Sequence, residues 1–278
     1  MLTPEGPSGW PMPGAPPGTI GTDGLRPGSM GAGVDAILLT GGSGYGLAAA
    51  VGVQRWLEEH GRGFQTGPAR IPIVAGAVLF DLGVGDPGAR PDAEAGHAAC
   101  DAANDGPVAE GSVGAGTGAT VAKLPDPRSG MTGGLGSASA RHGDVVVGAV
   151  AAVNSLGRIV EADGSTLAGN RGDPDANPAM WPIGNTTLVC VATNARLSLS
   201  HGLRLAYAAH DGIALAVRPA HTHWDGDVAF ALATGEVDAD WVRLPELASE
   251  AVAQAIRRGV RAATGVPGAP AIADGAST

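Results

Sequence analysis

Glycine sets the terms on which this chain can fold. It occupies 46 of 278 positions, with 21 prolines beside it, so the backbone must turn tightly and pack closely in many places. Hydrophobic residues still make up 44% and charged residues 16%, which is enough to bury a sizeable core in one large domain or two small ones. A net charge of −10 argues against a nucleic-acid binder, which needs a basic face. Cys100 and Cys190 form neither a disulfide framework nor a metal knuckle, and a reducing cytoplasm is the expected setting. No stretch of about 18 apolar residues suggests a membrane span. The first residues lack the basic and apolar regions of a secretory signal.

Residues 1–33 read as an irregular Pro/Gly-rich N-terminus and 34–278 as a single domain. Val34–Thr40 is a short apolar run ending in a Gly-rich turn, the pattern of a buried strand. Leu47–His60 follows as a helix, with Leu47, Val51 and Leu57 near one face and Gly61 as its stop. Ile71–Leu82 reads as one bent strand or a pair. Residues 83–143 form a long Gly-rich region broken by a helix at Ala93–Ala103. Asp144–Asn154 is another buried strand, onto which Gly157–Ala162 could fold back as a hairpin. Residues 163–184 form a loop, long enough to suggest function. Strands at Thr186–Asn194 and Val228–Thr234 alternate with helices at Ser198–Val217 and Pro245–Thr264. Strands and helices mixed throughout imply an α/β or α+β layered fold.

Four segments carry candidate chemistry. Asn185-Thr186-Thr187 stands where the long loop meets a strand. A threonine hydroxyl is a weak nucleophile that needs a base. Cleavage of the bond before Thr186 would supply one, since a free α-amine titrates near pH 7.7–8, by the usual reference of about 7.7–8.0. Without cleavage, the pair simply opens a strand. In HTHWDGD, residues 221–227, an extended backbone would place His221, His223, Asp225 and Asp227 on one face. That permits a metal site, a carboxylate pair that orients an amine, or a polar turn. GGSGYG, residues 41–46, lacks the lysine of a phosphate loop and the dinucleotide spacing, and reads as a tight strand-to-helix turn. Lys123 is the only lysine in the chain. In a desolvated site it could donate hydrogen bonds or depress a neighbouring amine.

Taken together, VDAILLTGGSGYGLAAAVGVQRWLEE, VLFDLGVGDPGARPDAEAGHAACDAA, GPVAEGSVGAGTGATVAK, GGLGSAS, NTTLVCVATNARLS and AHDGIALAVRPAHTHWDGDVAFALATG resemble the L-aminopeptidase/D-esterase family. That family includes the β-peptidyl aminopeptidases and the nylon-oligomer hydrolase. The resemblance spans most of residues 34–235. It implies an N-terminal-nucleophile-type amide hydrolase with a four-layer αββα sandwich, made as one chain and self-processed into 1–185 and 186–278. It assigns Thr186 as nucleophile, Asn185–Thr186 as the cleaved bond, and Asp225 and Asp227 as the pair that positions the nucleophile and its amine. It further assigns Lys123 and Asn154 to the oxyanion. No metal or other cofactor is implied. Threonine with D-x-D is closer to the nylon-oligomer branch than to the serine enzymes with S-x-E. Some relatives place a tyrosine where Phe80 stands, so a hydroxyl is absent here. Relatives also carry further N-terminal residues that include core strands, which residues 1–33 do not recognisably replace. The implied substrate is a small peptide, an amino amide or ester, or an ω-amino acid oligomer. The implied setting is a cytoplasmic homo-oligomer, a tetramer by resemblance. Two other readings stay open: an uncut, inactive member that binds a small molecule, and a metal-dependent hydrolase built on residues 221–227.

Overall fold

The computed structural model describes residues 17–26, 33–173, 175 and 184–277. Of the expected loop before Asn185, residues 174 and 176–183 lie outside them. Two sheets stack face to face, and helices cover each outer face. The first sheet has β1 (Gly18–Ile20) and β2 (Ala36–Thr40) flanking β3 (Val74–Val78), β1 antiparallel and β2 parallel to it. The second sheet contains β4 (Gly134–His142), β5 (Val145–Asn154), β8 (Thr186–Ala195) and β10 (Val228–Val237), in the order β10-β8-β5-β4. β8 runs antiparallel to β5 and parallel to β10. A small third sheet joins β6 (Arg158–Val160) to β7 (Thr166–Ala168) and β9 (Val217–Arg218).

Helices α1 (Ala49–Glu59) and α2 (Ala93–Asp101) cover the first sheet, burying Ala50, Val53, Leu57 and Cys100 against Ala36 and Val74. Between the sheets, Ile37, Ala75 and Leu79 meet Leu188, Cys190 and Phe230. Helices α3 (Leu199–Ala216) and α4 (Arg243–Ala262) cover the other side, where Leu205, Ile213, Val252 and Ile256 pack on Val147, Val189 and Ala231. These layers are the four-layer αββα sandwich that the resemblance implies. Among the described residues, no helix is long and apolar enough to cross a membrane.

Several local expectations need correction. Residues 1–33 are not irregular throughout: Gly18–Ile20 is a sheet strand, carried by pairing with β3 rather than by its own apolar pattern. On α1 the buried stripe is Ala49, Ala50, Val53 and Leu57, and Val51 is 59% exposed. Residues 157–162 do not fold back on β5. Arg158–Val160 pairs with β7 and β9, and β7 itself lies in the segment expected to be loop. The strand β4 has no apolar alternation to announce it. Its small residues are needed because α4 lies directly over it: a Cβ at Gly136 would stand 2.1 Å from Ala255 O.

Candidate active site

The site forms where β5 and β8 run together. Their register sets Thr186 opposite Asn154 and continues without a break to Thr193 opposite Val147. Asn185, Thr186 and Thr187 are all buried, at 1%, 6% and 0% exposure. The Thr186 hydroxyl donates to the Asn185 carbonyl oxygen at 2.5 Å. The same oxygen accepts the Gly226 N–H at 2.7 Å. Asn185 also bridges Asp225 in parallel fashion. The peptide before Thr186 is therefore clamped by the 222–227 turn, with its carbonyl already polarised by a main-chain donor.

The two carboxylates of that turn are buried and separately engaged. Asp227 Oδ1 accepts the Thr187 N–H at 2.7 Å. Asp227 Oδ2 faces the His221 ring Nδ1 at 2.8 Å. Asp225 Oδ2 accepts the Thr222 hydroxyl at 2.5 Å and the Thr222 N–H at 3.0 Å, and its Oδ1 accepts Leu156 N–H at 3.2 Å. Burial, with Asp227 close by, pushes the Asp225 carboxyl upward. The segment is thus a bent turn rather than an extended strand. His223 is exposed and sits edge-on to Trp224. The four side chains expected on one face are not gathered as ligands, and among the described residues no group of three or more His, Cys, Asp or Glu is arranged to hold a metal.

Lys123 approaches from the other side. Its Nζ donates to Asn154 Oδ1 at 3.0 Å and Asn154 O at 3.2 Å. Burial lowers its pKa to about 7, against the opposing pull of Asp225 and Asp81, so near neutrality it exists in both protonation states. The Asn154 amide group donates to Phe80 O at 2.9 Å and to Gly184 O at 3.1 Å. In the uncut chain this donor is occupied by the segment leading into Thr186. A cavity of about 350 Å³ opens beside Gly184, lined by Phe80, Asp81, Thr120, Lys123 and Arg128, within the range of small-ligand sites. Phe80 lies against Gly184, whose φ of +91° and lack of a side chain let the main chain pass: a Cβ there would be 2.4 Å from the ring.

Thr186, Asn154, Lys123, Asp225 and Asp227 are therefore brought together here, and His223 is not. The Gly226 N–H, the Thr222 and Leu156 contacts to Asp225, and the His221 contact to Asp227 did not stand out. Main-chain donors leave no residue-type signature, and His221 was grouped with its neighbours by an extended spacing that the turn does not have. GGSGYG is a tight turn as expected, and its Gly42 N–H donates to Asp81 at 2.7 Å.

The Peptidase family S58 model matches residues 2–272. The chain belongs to peptidase family S58. An uncharacterized aminopeptidase from Mycobacterium leprae is 46% identical over 263 residues, covering 86% of this chain and 71% of that protein. A 6-aminohexanoate-oligomer endohydrolase from Paenarthrobacter ureafaciens is 34% identical over 255 residues, covering 84% and 71%. Among solved structures, the L-aminopeptidase D-Ala-esterase/amidase of Ochrobactrum anthropi, described as a variant among the Ntn hydrolase fold, superposes with a TM-score of 0.72 at 22% identity, covering 97% of this chain and 77% of that one. A Burkholderia β-aminopeptidase gives 0.69 at 23%, covering 92% and 74%. At such identities these two structures establish the fold. As an S58 peptidase, the chain is a hydrolase of amide or peptide bonds.

Proposed function

We propose that this S58 hydrolase cuts itself between Asn185 and Thr186 and then uses Thr186 Oγ1 as the nucleophile of amide hydrolysis. The observation that carries the reading is the Thr186 hydroxyl lying 2.5 Å from the carbonyl oxygen of the bond to be cut, with Gly226 N–H on that same oxygen. In the first step Oγ1 attacks the Asn185 carbonyl carbon, and Gly226 N–H holds the developing oxyanion. The C–N bond breaks, the hydroxyl proton passes to the departing nitrogen, and an ester remains on Oγ1. Water hydrolyses the ester, which leaves an Asn185 carboxylate and a free Thr186 amine.

In the cut enzyme that amine takes the Oγ1 proton as Oγ1 attacks a substrate carbonyl, and water later releases the acyl group. Cutting also removes the tie that keeps Gly184 O on the Asn154 amide. Asn154 then becomes an oxyanion donor, with Lys123 behind it; a well-placed donor of this kind is worth about 3–4 kcal/mol. Asp225 and Asp227 hold the turn and the start of β8. Fragments 1–185 and 186–278 stay together, because β8 is an inner strand paired on both sides. The cavity suits a short peptide or an oligomer amide.

A denaturing gel tests the reading. Purified protein should run as two fragments, and Thr186→Ala should give one band with no hydrolysis. An intact wild-type chain would overturn it. Such a chain would be the uncut binding member if inactive, or a metal-dependent hydrolase if its activity were lost on chelation.

A further inference from the structure

Asp227 is reached by His221 twice. Its Oδ2 lies 2.8 Å from the ring Nδ1 and 3.3 Å from the His221 main-chain N. The left-handed backbone at His221, φ +53°, accompanies this double approach and is unusual for a residue with a side chain. The second ring nitrogen, Nε2, lies 3.1 Å from the His210 carbonyl oxygen. A carbonyl oxygen and an ionised carboxylate can only accept hydrogen bonds. A neutral imidazole carries one N–H, so it can serve one of these neighbours but not both. The Asp227 carboxylate already accepts from the Thr187 and His221 main-chain N–H groups, and both ring contacts are hydrogen bonds together when both ring nitrogens bear hydrogen.

We propose that His221 is a positioning residue for this hydrolase: as an imidazolium it fixes Asp227, through Asp227 the Thr187 N–H, and so the placement of Thr186. The proposal rests on Thr186 being the nucleophile. It implies that hydrolysis falls in alkaline solution when the ring loses a proton, because a bare Nδ1 lone pair would then face the carboxylate.

The surrounding charges favour the same state. Asp227, through its hydrogen bond, is the largest influence raising the His221 pKa, and Asp225 adds to it. From α3 the His210 ring stands 5.0 Å away, but burial lowers its pKa to about 4, so it is uncharged near neutrality and does not compete. For a histidine raised in this way, the stabilising contact is complete below the ordinary histidine range and is lost as pH rises through the raised value. The side chain is 32% exposed, so it can be replaced without opening the core.

The experiment compares wild type with His221→Gln, using L-alanine p-nitroanilide and 6-aminohexanoate p-nitroanilide as probes across the neutral and alkaline range. Glutamine donates but does not titrate. The expected result is a kcat lower by about tenfold, the size of one lost charge-assisted contact. KM should hold, because Asp227 does not line the cavity, and the alkaline limb of the wild-type profile should disappear. A variant that keeps the wild-type kcat or the wild-type alkaline limb would overturn the proposal. In parallel, nitrogen-15 NMR of histidine-labelled wild type, with the His221 signals assigned by their loss in His221→Gln, should show protons on both ring nitrogens at neutral pH. One bare nitrogen would refute the imidazolium. If the wild-type chain neither cuts itself nor turns over a probe, the Thr186 reading fails, and the ring signals still decide the state of His221.

Discussion

Replacing Lys123 by methionine should make the protein inactive and, near neutrality, more stable. The lysine is 8% exposed, and burial brings its pKa from the ordinary 10.5 to about 7. Near pH 7 the unfolded chain holds the amine fully charged, whereas the folded chain holds it only about half charged. Linkage converts that difference into a cost to folding of about 4 kcal/mol. Against this stand two hydrogen bonds to Asn154, worth about 1 kcal/mol each. Asn154 Oδ1 keeps the Thr120 N–H at 3.0 Å after the change, so it is not left without a partner. The net gain is about 2 kcal/mol, or roughly 4–8 °C in Tm. The sign reverses with pH. Between about 7 and 10.5 the unfolded chain binds more protons, so wild type gains stability as pH rises through this window and the variant does not. Near pH 10 the cost is under about 1 kcal/mol, and the lost hydrogen bonds make the variant the weaker protein. The assay is urea unfolding at both pH values with Lys123→Met and Lys123 both in a Thr186→Ala background, so that every chain stays uncut. A Lys123→Met variant that is less stable near pH 7, or whose advantage does not shrink with rising pH, would refute the account of this buried amine.

Two further outcomes follow from neighbouring geometry. Thr187 is fully buried and its hydroxyl has no hydrogen-bond partner, while its N–H is held by Asp227; Thr187→Val should stabilise the chain by about 1 kcal/mol and leave self-cleavage intact on a gel, separating its role from that of Thr186. Gly136→Ala should lose about 2–4 kcal/mol, seen as a thermal midpoint lower by roughly 5–15 °C, because its Cβ would meet the α4 backbone at Ala255 O and Gly259 N.

The helices and the strands β5, β8 and β10 of the second sheet were legible because each carries its own run of apolar residues. Thr186–Ala195 and Val228–Val237 are buried along most of their length. β4 was not legible, since a strand pressed against a helix backbone must be built from glycine, alanine and serine and so shows no alternation. β1 was hidden for a related reason: three residues become a strand only because β3 offers an edge. At the site, no local pattern was decisive. Thr186 and Thr187 look alike in sequence, and only the hydrogen bonds separate a hydroxyl laid on its own preceding carbonyl from one without a partner. Lys123 and Asn154 are 31 residues apart and meet because the Ala122 and Lys123 N–H groups donate to Gly157 O and Leu156 O, just beyond Asn154. The 221–227 segment misled because its spacing suited an extended strand, whereas Asp225 bonds back to Thr222 and closes a turn.

The most direct measurement of the central claim is N-terminal sequencing of the smaller fragment from purified wild-type protein, with the intact mass of each fragment. The account predicts a fragment that begins Thr-Thr-Leu-Val, from a cut between Asn185 and Thr186, and no such fragment from Thr186→Ala. A fragment that begins at Thr187, or a chain that stays whole while hydrolysing amides, would contradict it.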